Sequence, residues 1–98
     1  MKPSKKNSLK HNSLTYQIIV EKHVEKETRH IPLHERHNID HVIRALTSNP
    51  RPHGCKKLTE KEGYRTRVGN YRILYTIDDT KRTIVIYRIK SRSEKTYK

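Results

Sequence analysis

Tryptophan and phenylalanine are absent from this 98-residue chain, and cysteine occurs once. Six tyrosines carry all of the aromatic content, so isoleucine, valine, leucine and tyrosine must supply the core. A lone Cys55 excludes an intramolecular disulfide and a cysteine-rich metal site, and it fits a reducing compartment. No apolar run approaches the roughly 20 residues that span a bilayer. The N-terminal region also lacks the apolar segment that a secretory signal requires. The expectation is a cytoplasmic protein. There is no glycine-rich phosphate loop and no zinc-finger pattern. Acidic residues are scarce: 10 Asp and Glu stand against 23 Lys and Arg, a formal net charge of +13. An excess of that size points to an anionic partner: nucleic acid, an acidic protein or an anionic membrane surface.

The length suggests one domain with a small core. Residues 1–13 are rich in Lys, Ser and Asn and contain no acid. They read as a disordered basic arm, followed by a single domain over residues 14–98. Leu14 to Val20 alternates Tyr16, Ile18 and Val20, as a strand does. Glu21 to His30 has weak helical character. Pro32 marks a break and suits the first turn of a new helix. From Leu33 to Thr47, Ile39, Val42, Ile43 and Leu46 follow amphipathic helical spacing. Asn49-Pro50-Arg51-Pro52-His53-Gly54 ends that helix in a loop. Three strand-like runs follow, and the last, Ile84 to Ile89, is nearly continuous apolar and suits a strand with neighbours on both sides. The order is β-α-α-β-β-β.

The segment Tyr64-Arg65-Thr66-Arg67-Val68-Gly69-Asn70-Tyr71-Arg72-Ile73-Leu74-Tyr75 reads as two strands joined by a two-residue turn. Gly at the first central position fits type II′. With Val68 and Tyr71 flanking the turn, Arg67 lies opposite Arg72, and Arg65 opposite Leu74. Arg65, Arg67 and Arg72 then share one face, while Tyr64, Thr66, Ile73 and Tyr75 share the other. Directly opposed like charges cost up to ~1 kcal/mol. A sheet that accepts this cost has an anion to receive, and guanidinium forks suit phosphate. Across the next turn, pairing Ile77 with Thr83 would set Tyr75 opposite Val85 and Arg72 opposite Arg88, with Arg92 on the same side. Three other features read more plainly. His30, His34, His37 and His41 form a stripe that Pro32 interrupts and that has no completed ligand set, so no metal is expected. Cys55 near His53 has no third group to make it a nucleophile. Asp78-Asp79 reads as turn chemistry.

The hairpin, its acidic turn, the run Ile84-Val85-Ile86-Tyr87-Arg88-Ile89 and Ser91-Arg92 together resemble the RelE branch of the RelE/ParE toxin superfamily. Asn49-Pro50-Arg51-Pro52-His53-Gly54-Cys55-Lys56-Lys57-Leu58 resembles its Pro- and Gly-containing segment that ends in Lys-Leu. The resemblance spans about residues 15–97. It implies an α+β fold with two N-terminal helices packed on a small, mostly antiparallel four-stranded sheet. It also implies the toxin of a type II toxin–antitoxin pair: a metal-independent endoribonuclease that cuts mRNA in the ribosomal A site. Carried over by position, the catalytic residues are Arg65, Arg67, Arg72, Arg92 and Tyr97. Arg88, Lys90, Lys56 and Lys57 are expected to add contacts to RNA. Ser91 stands where many members have His, and Tyr97 follows Arg92 by one residue more than is common.

The implied reaction is attack of a ribose 2′-OH on the adjacent phosphate, with no cofactor. An acidic antitoxin is the implied protein partner, with neither a membrane nor a small-molecule cofactor involved. Three rival readings accompany it. One is a ParE-like gyrase poison, and the second is a non-catalytic basic RNA-binding module. The third is a degenerate member kept to bind antitoxin.

Overall fold

The computed structural model describes residues 15–59 and 61–91. The basic arm read at residues 1–13 lies outside them, as do Arg92 and Tyr97. The element order is β1 (Gln17–Val20), α1 (Lys22–Thr28), α2 (Leu33–Leu46), β2 (Lys56–Lys57), β3 (Tyr64–Val68), β4 (Tyr71–Asp78) and β5 (Thr83–Ser91). This is the expected α+β order with one strand added. The sheet has five strands, in the order β1-β5-β4-β3-β2, rather than four. β1 runs parallel to β5, and the other pairs are antiparallel. The additional strand is the lysine pair Lys56–Lys57, too short to show any alternation in the sequence.

Both helices begin without a side-chain cap. α2 starts after Pro32, whose ψ of 145 is extended and whose carbonyl accepts the amides of Glu35 and Arg36. Proline gives up no useful donor there, because the first amides of a helix have no intrahelical partner. Ile39 and Leu46 of α2 and Val24 of α1 are buried, and Val42 and Ile43 pack beside them. Opposite them are Ile73 and Tyr75 of β4 and Ile84, Ile86 and Ile89 of β5, which complete one core on one sheet face. Tyr71 donates to Glu35 Oε1 at 3.1 Å, tying the hairpin to α2. His34, His37 and His41 are exposed.

The β3–β4 register is the one the turn dictates. Tyr64 pairs with Tyr75, Arg65 with Leu74, Thr66 with Ile73, Arg67 with Arg72, and Val68 with Tyr71. Gly69 has φ +56, while Asn70 is not left-handed, as type II′ requires. The β4–β5 register needs correction. Asp78 pairs with Thr83 and Tyr75 with Ile86, then the register shifts, so Leu74 pairs with Arg88 and Arg72 with Lys90. Arg72 therefore faces Lys90, not Arg88, and Tyr87 is the bulged residue. The cause is core parity. Ile84 and Ile86 are even-numbered and Ile89 is odd, so all three reach the core only if one residue is looped out between them.

Candidate nucleic-acid interface

The helices cover one face of the sheet, and the other face carries the cations. Alternation along β3 and β4 places Arg65, Arg67 and Arg72 on that open face, with buried Leu74 among them. Lys56 pairs with Arg65 and joins them. Lys90 is opposite Arg72 and Arg88 opposite Leu74, so β5 contributes two more. Arg65, Arg67 and Arg72, with Lys56 and Gly54, line a concavity of about 420 Å³. Among the described residues, none of Arg65, Arg67, Arg72 or Lys56 takes part in an ion pair. Four unpaired cations converging on one hollow can grip phosphate and stabilise charge developing on it. The three arginines among them cannot move protons, because a guanidinium does not deprotonate.

Lys57, expected beside Lys56, is not in this concavity. It pairs with Tyr64, one step along the alternation, and lines a larger cleft of about 810 Å³ with Arg51, Tyr64, Thr76 and Asp79. That cleft is the roomier of the two, but Arg51, one of its cations, is already paired with Asp79. The smaller hollow, whose cations have no ion-pair partner among the described residues, is the candidate anion site. Arg92 and Tyr97 lie outside the described residues. The last described residue of β5, Ser91, pairs with Tyr71, one residue from the Arg72–Lys90 pair. Among the described residues, no three His, Cys, Asp or Glu side chains are placed to hold a metal ion.

Gly54 reaches the concavity from a loop that is held from behind. Tyr75, fully buried, donates its hydroxyl to the Pro50 carbonyl at 2.8 Å and lies 3.1 Å from Thr66 Oγ1. Burial pushes the Tyr75 phenol up to about 12, so it stays a donor. Arg51 meets Asp79 at 2.8 Å, donates from Nε to the Tyr64 hydroxyl at 3.1 Å and sits 5.1 Å over that ring. Tyr16 donates to the same carboxylate at 2.5 Å. These two bonds, Arg51 first, hold the Asp79 carboxyl below its ordinary range. The Cys55 amide then closes a turn onto the Pro52 carbonyl at 3.0 Å, with Gly54 at φ +92.

The sequence reading missed this clamp. Asp78 does make the turn, accepting the Lys81 amide at 3.0 Å. Asp79 instead anchors the loop. Arg51 stood in view in the proline segment, but its acid lies 28 residues further on, beyond the reach of local pattern. Tyr87 was also passed over: the bulge sets its ring 5.8 Å from Lys61 Nζ, next to the cationic face.

Residues 15–96 match the family described as ParE toxin of type II toxin–antitoxin system, parDE. No curated protein matches the chain in sequence. Among solved structures, the archaeal RelE–RelB complex from Pyrococcus horikoshii OT3 is similar at 26% identity and TM-score 0.74, over 80% of this chain and 96% of that one. The toxin–antitoxin complex RelBE2 from Mycobacterium tuberculosis is similar at 25% identity and TM-score 0.71, over 80% and 99%. The RelB–RelE antitoxin–toxin complex from Methanococcus jannaschii gives 28% identity and TM-score 0.65, over 82% and 98%.

Proposed function

The chain belongs to the ParE toxin family of type II toxin–antitoxin systems, with RelE-type structural relatives, and we propose that it is a ribosome-dependent mRNA endoribonuclease that inhibits translation. The observation that carries this reading is the hollow lined by Arg65, Arg67, Arg72 and Lys56, whose cations have no carboxylate partners among the described residues. An opposed Arg67–Arg72 pair is unfavourable until an anion arrives. An mRNA phosphate is such an anion. Attack by the neighbouring 2′-OH would leave a 2′,3′-cyclic phosphate and a 5′-OH. Arginines fixed on strands lower the barrier by neutralising the phosphate as its charge grows, and no metal is required. Arg92 and Tyr97 enter this reading by resemblance alone. The ribosome supplies the orientation of the substrate. The cognate partner is an acidic antitoxin, which a +13 chain attracts strongly; the relatives named above were solved with RelB or as a toxin–antitoxin complex.

The test is cell-free translation with primer extension of the mRNA. Wild type should cut within the occupied A site. Arg72→Ala, with an unchanged circular dichroism spectrum, should be slower by roughly 10²-fold or more, the usual loss when a transition-state donor is removed. Cutting at the wild-type rate by Arg72→Ala would sink the assignment. The family match carries the name ParE, so the same preparation should be assayed for trapped gyrase–DNA breaks. Breaks without mRNA cuts would establish the gyrase reading.

A further inference from the structure

One residue must be looped out between Ile86 and Ile89 for both to reach the core, but the core does not say which. Tyr87 and Arg88 satisfy that parity equally. With Tyr87 as the extra residue, Arg88 stands opposite Leu74 on the cationic face. With Arg88 as the extra residue, Tyr87 would take that place among the arginines. The position of the bulge therefore decides what β5 presents beside Arg72.

The carbonyls of β5 show what holds the bulge where it is. The Gln17 amide donates to the Arg82 carbonyl at 2.8 Å, and the Glu21 amide to the Ile86 carbonyl at 3.1 Å, so these even-numbered carbonyls point toward β1. Successive carbonyls of a regular strand point to opposite neighbours, and Tyr87 would send its own to β4. Instead His23 of α1, on the β1 side, bonds the Tyr87 carbonyl through Nε2 at 2.8 Å. Two consecutive carbonyls thus face the same edge, which the extra, unpaired residue of a bulge permits. A carbonyl only accepts, so Nε2 carries the hydrogen. The Glu21 carboxylate lies 3.7 Å from the other ring nitrogen, Nδ1. His23 stands in the first turn of α1, directly after β1, and the parallel pairing of β1 with β5 delivers its ring to this point. Without the imidazole, a Tyr87 carbonyl turned out of the ladder loses this partner, and a bulge at Tyr87 loses its advantage over one at Arg88.

We propose that His23 is a positioning residue for the cationic face. Its bond to the Tyr87 carbonyl makes Tyr87 the looped-out residue and seats Arg88 opposite Leu74, where Arg88 adds a contact to RNA phosphate. That contact rests on the function proposed above; the choice of bulge does not.

The experiment compares wild type, His23→Ala, His23→Gln, Arg88→Ala and the double variant His23→Ala/Arg88→Ala. Cross-strand nuclear Overhauser contacts read the register, and fluorescence anisotropy with single-stranded RNA across a salt series reads the phosphate contacts. Wild type should show the Leu74–Arg88 contact, and so should His23→Gln, whose amide N–H replaces the imidazole donor. His23→Ala should lose it and show Leu74 against Tyr87, with the Ile73–Ile89 and Arg72–Lys90 pairs kept. His23→Ala and Arg88→Ala should each make the slope of log affinity against log salt shallower by about 0.7, the share of one phosphate on a single strand. The double variant should fall no further, because both changes remove the same contact. His23→Gln should keep the wild-type slope. Survival of the Leu74–Arg88 contact in His23→Ala would overturn the proposal, as would a wild-type slope in that variant. Additive losses in the double variant would overturn it too, since His23 would then act apart from Arg88. None of these readouts needs cleavage: a wild type that shows them but makes no mRNA cuts would end the nuclease reading and leave the assignment of His23 standing.

Discussion

Tyr75 is the residue on which the loop behind the cationic face depends. Its ring is core and its hydroxyl is structural, bonded to the Pro50 carbonyl. Tyr75→Phe keeps the packing but leaves that carbonyl and Thr66 without this partner. Urea unfolding should show a loss of about 1–3 kcal/mol. The same phenol makes the fold alkali-sensitive. Its folded-state pKa is raised to about 12, so the stabilisation it carries is complete below its ordinary value near 10 and is lost as pH rises from there through about 12. Tyr75→Phe should flatten the stability–pH curve in that window. Asp79 has the opposite sign. Its carboxyl is depressed by Arg51 and Tyr16, so its contribution is present above the ordinary carboxylate range and disappears as pH falls through the lowered value. Arg51→Ala should weaken that acid-side slope in thermal melts, the Tyr16 bond keeping the remainder. Gly63, at φ +126, has no room for a side chain: a Cβ would sit 2.9 Å from the Tyr75 carbonyl oxygen. Gly63→Ala should cost about 1–3 kcal/mol by the same urea measurement. None of these pairings was legible in the sequence. Tyr75 to Pro50 and Arg51 to Asp79 are meetings across the fold, and no local pattern encodes them.

The hairpin was legible in the sequence because its turn has no freedom. A two-residue loop with Gly69 at its first position sets every pair behind it, and Arg67 falls opposite Arg72 with no tertiary information. The β4–β5 connection was not legible to the same degree. Its turn is longer, Arg82 adopts φ +52 within it, and the bulge at Tyr87 changes the parity halfway along β5. That change brought Lys90 to Arg72. β2 was invisible because two residues carry no period, and this is why Lys56 and Lys57 seemed one patch until their pleats were known. The opposed arginines give a test at this scale. Arg67→Glu turns a repulsive pair into an attractive one, so the fold should gain a few tenths to about 1 kcal/mol in urea melts. RNA affinity in filter binding should fall in the same variant. A gain in both would mean that Arg67 does not meet the RNA.

The charge of the whole molecule governs how it meets polyanions. Among the described residues, six cations lie on the open face: Lys56, Arg65, Arg67, Arg72, Arg88 and Lys90. If each meets one phosphate of single-stranded RNA, at roughly 0.7 counterions released per contact, the slope of log affinity against log salt should be about −4. Fluorescence anisotropy across a salt series measures it. A slope near zero would remove RNA phosphate as the ligand of that face.

The pairing of β1 with β5 has a consequence for the order of events during synthesis. Residues 17–20 find their hydrogen-bond partners at residues 83–86. A nascent chain therefore emerges from the exit tunnel with its earliest strand unpaired, and keeps it so until β5 has followed. The arginine hairpin is local and can close while translation continues. The platform beneath it cannot. The interval between the two is set by the rate of elongation, about 5–20 residues per second.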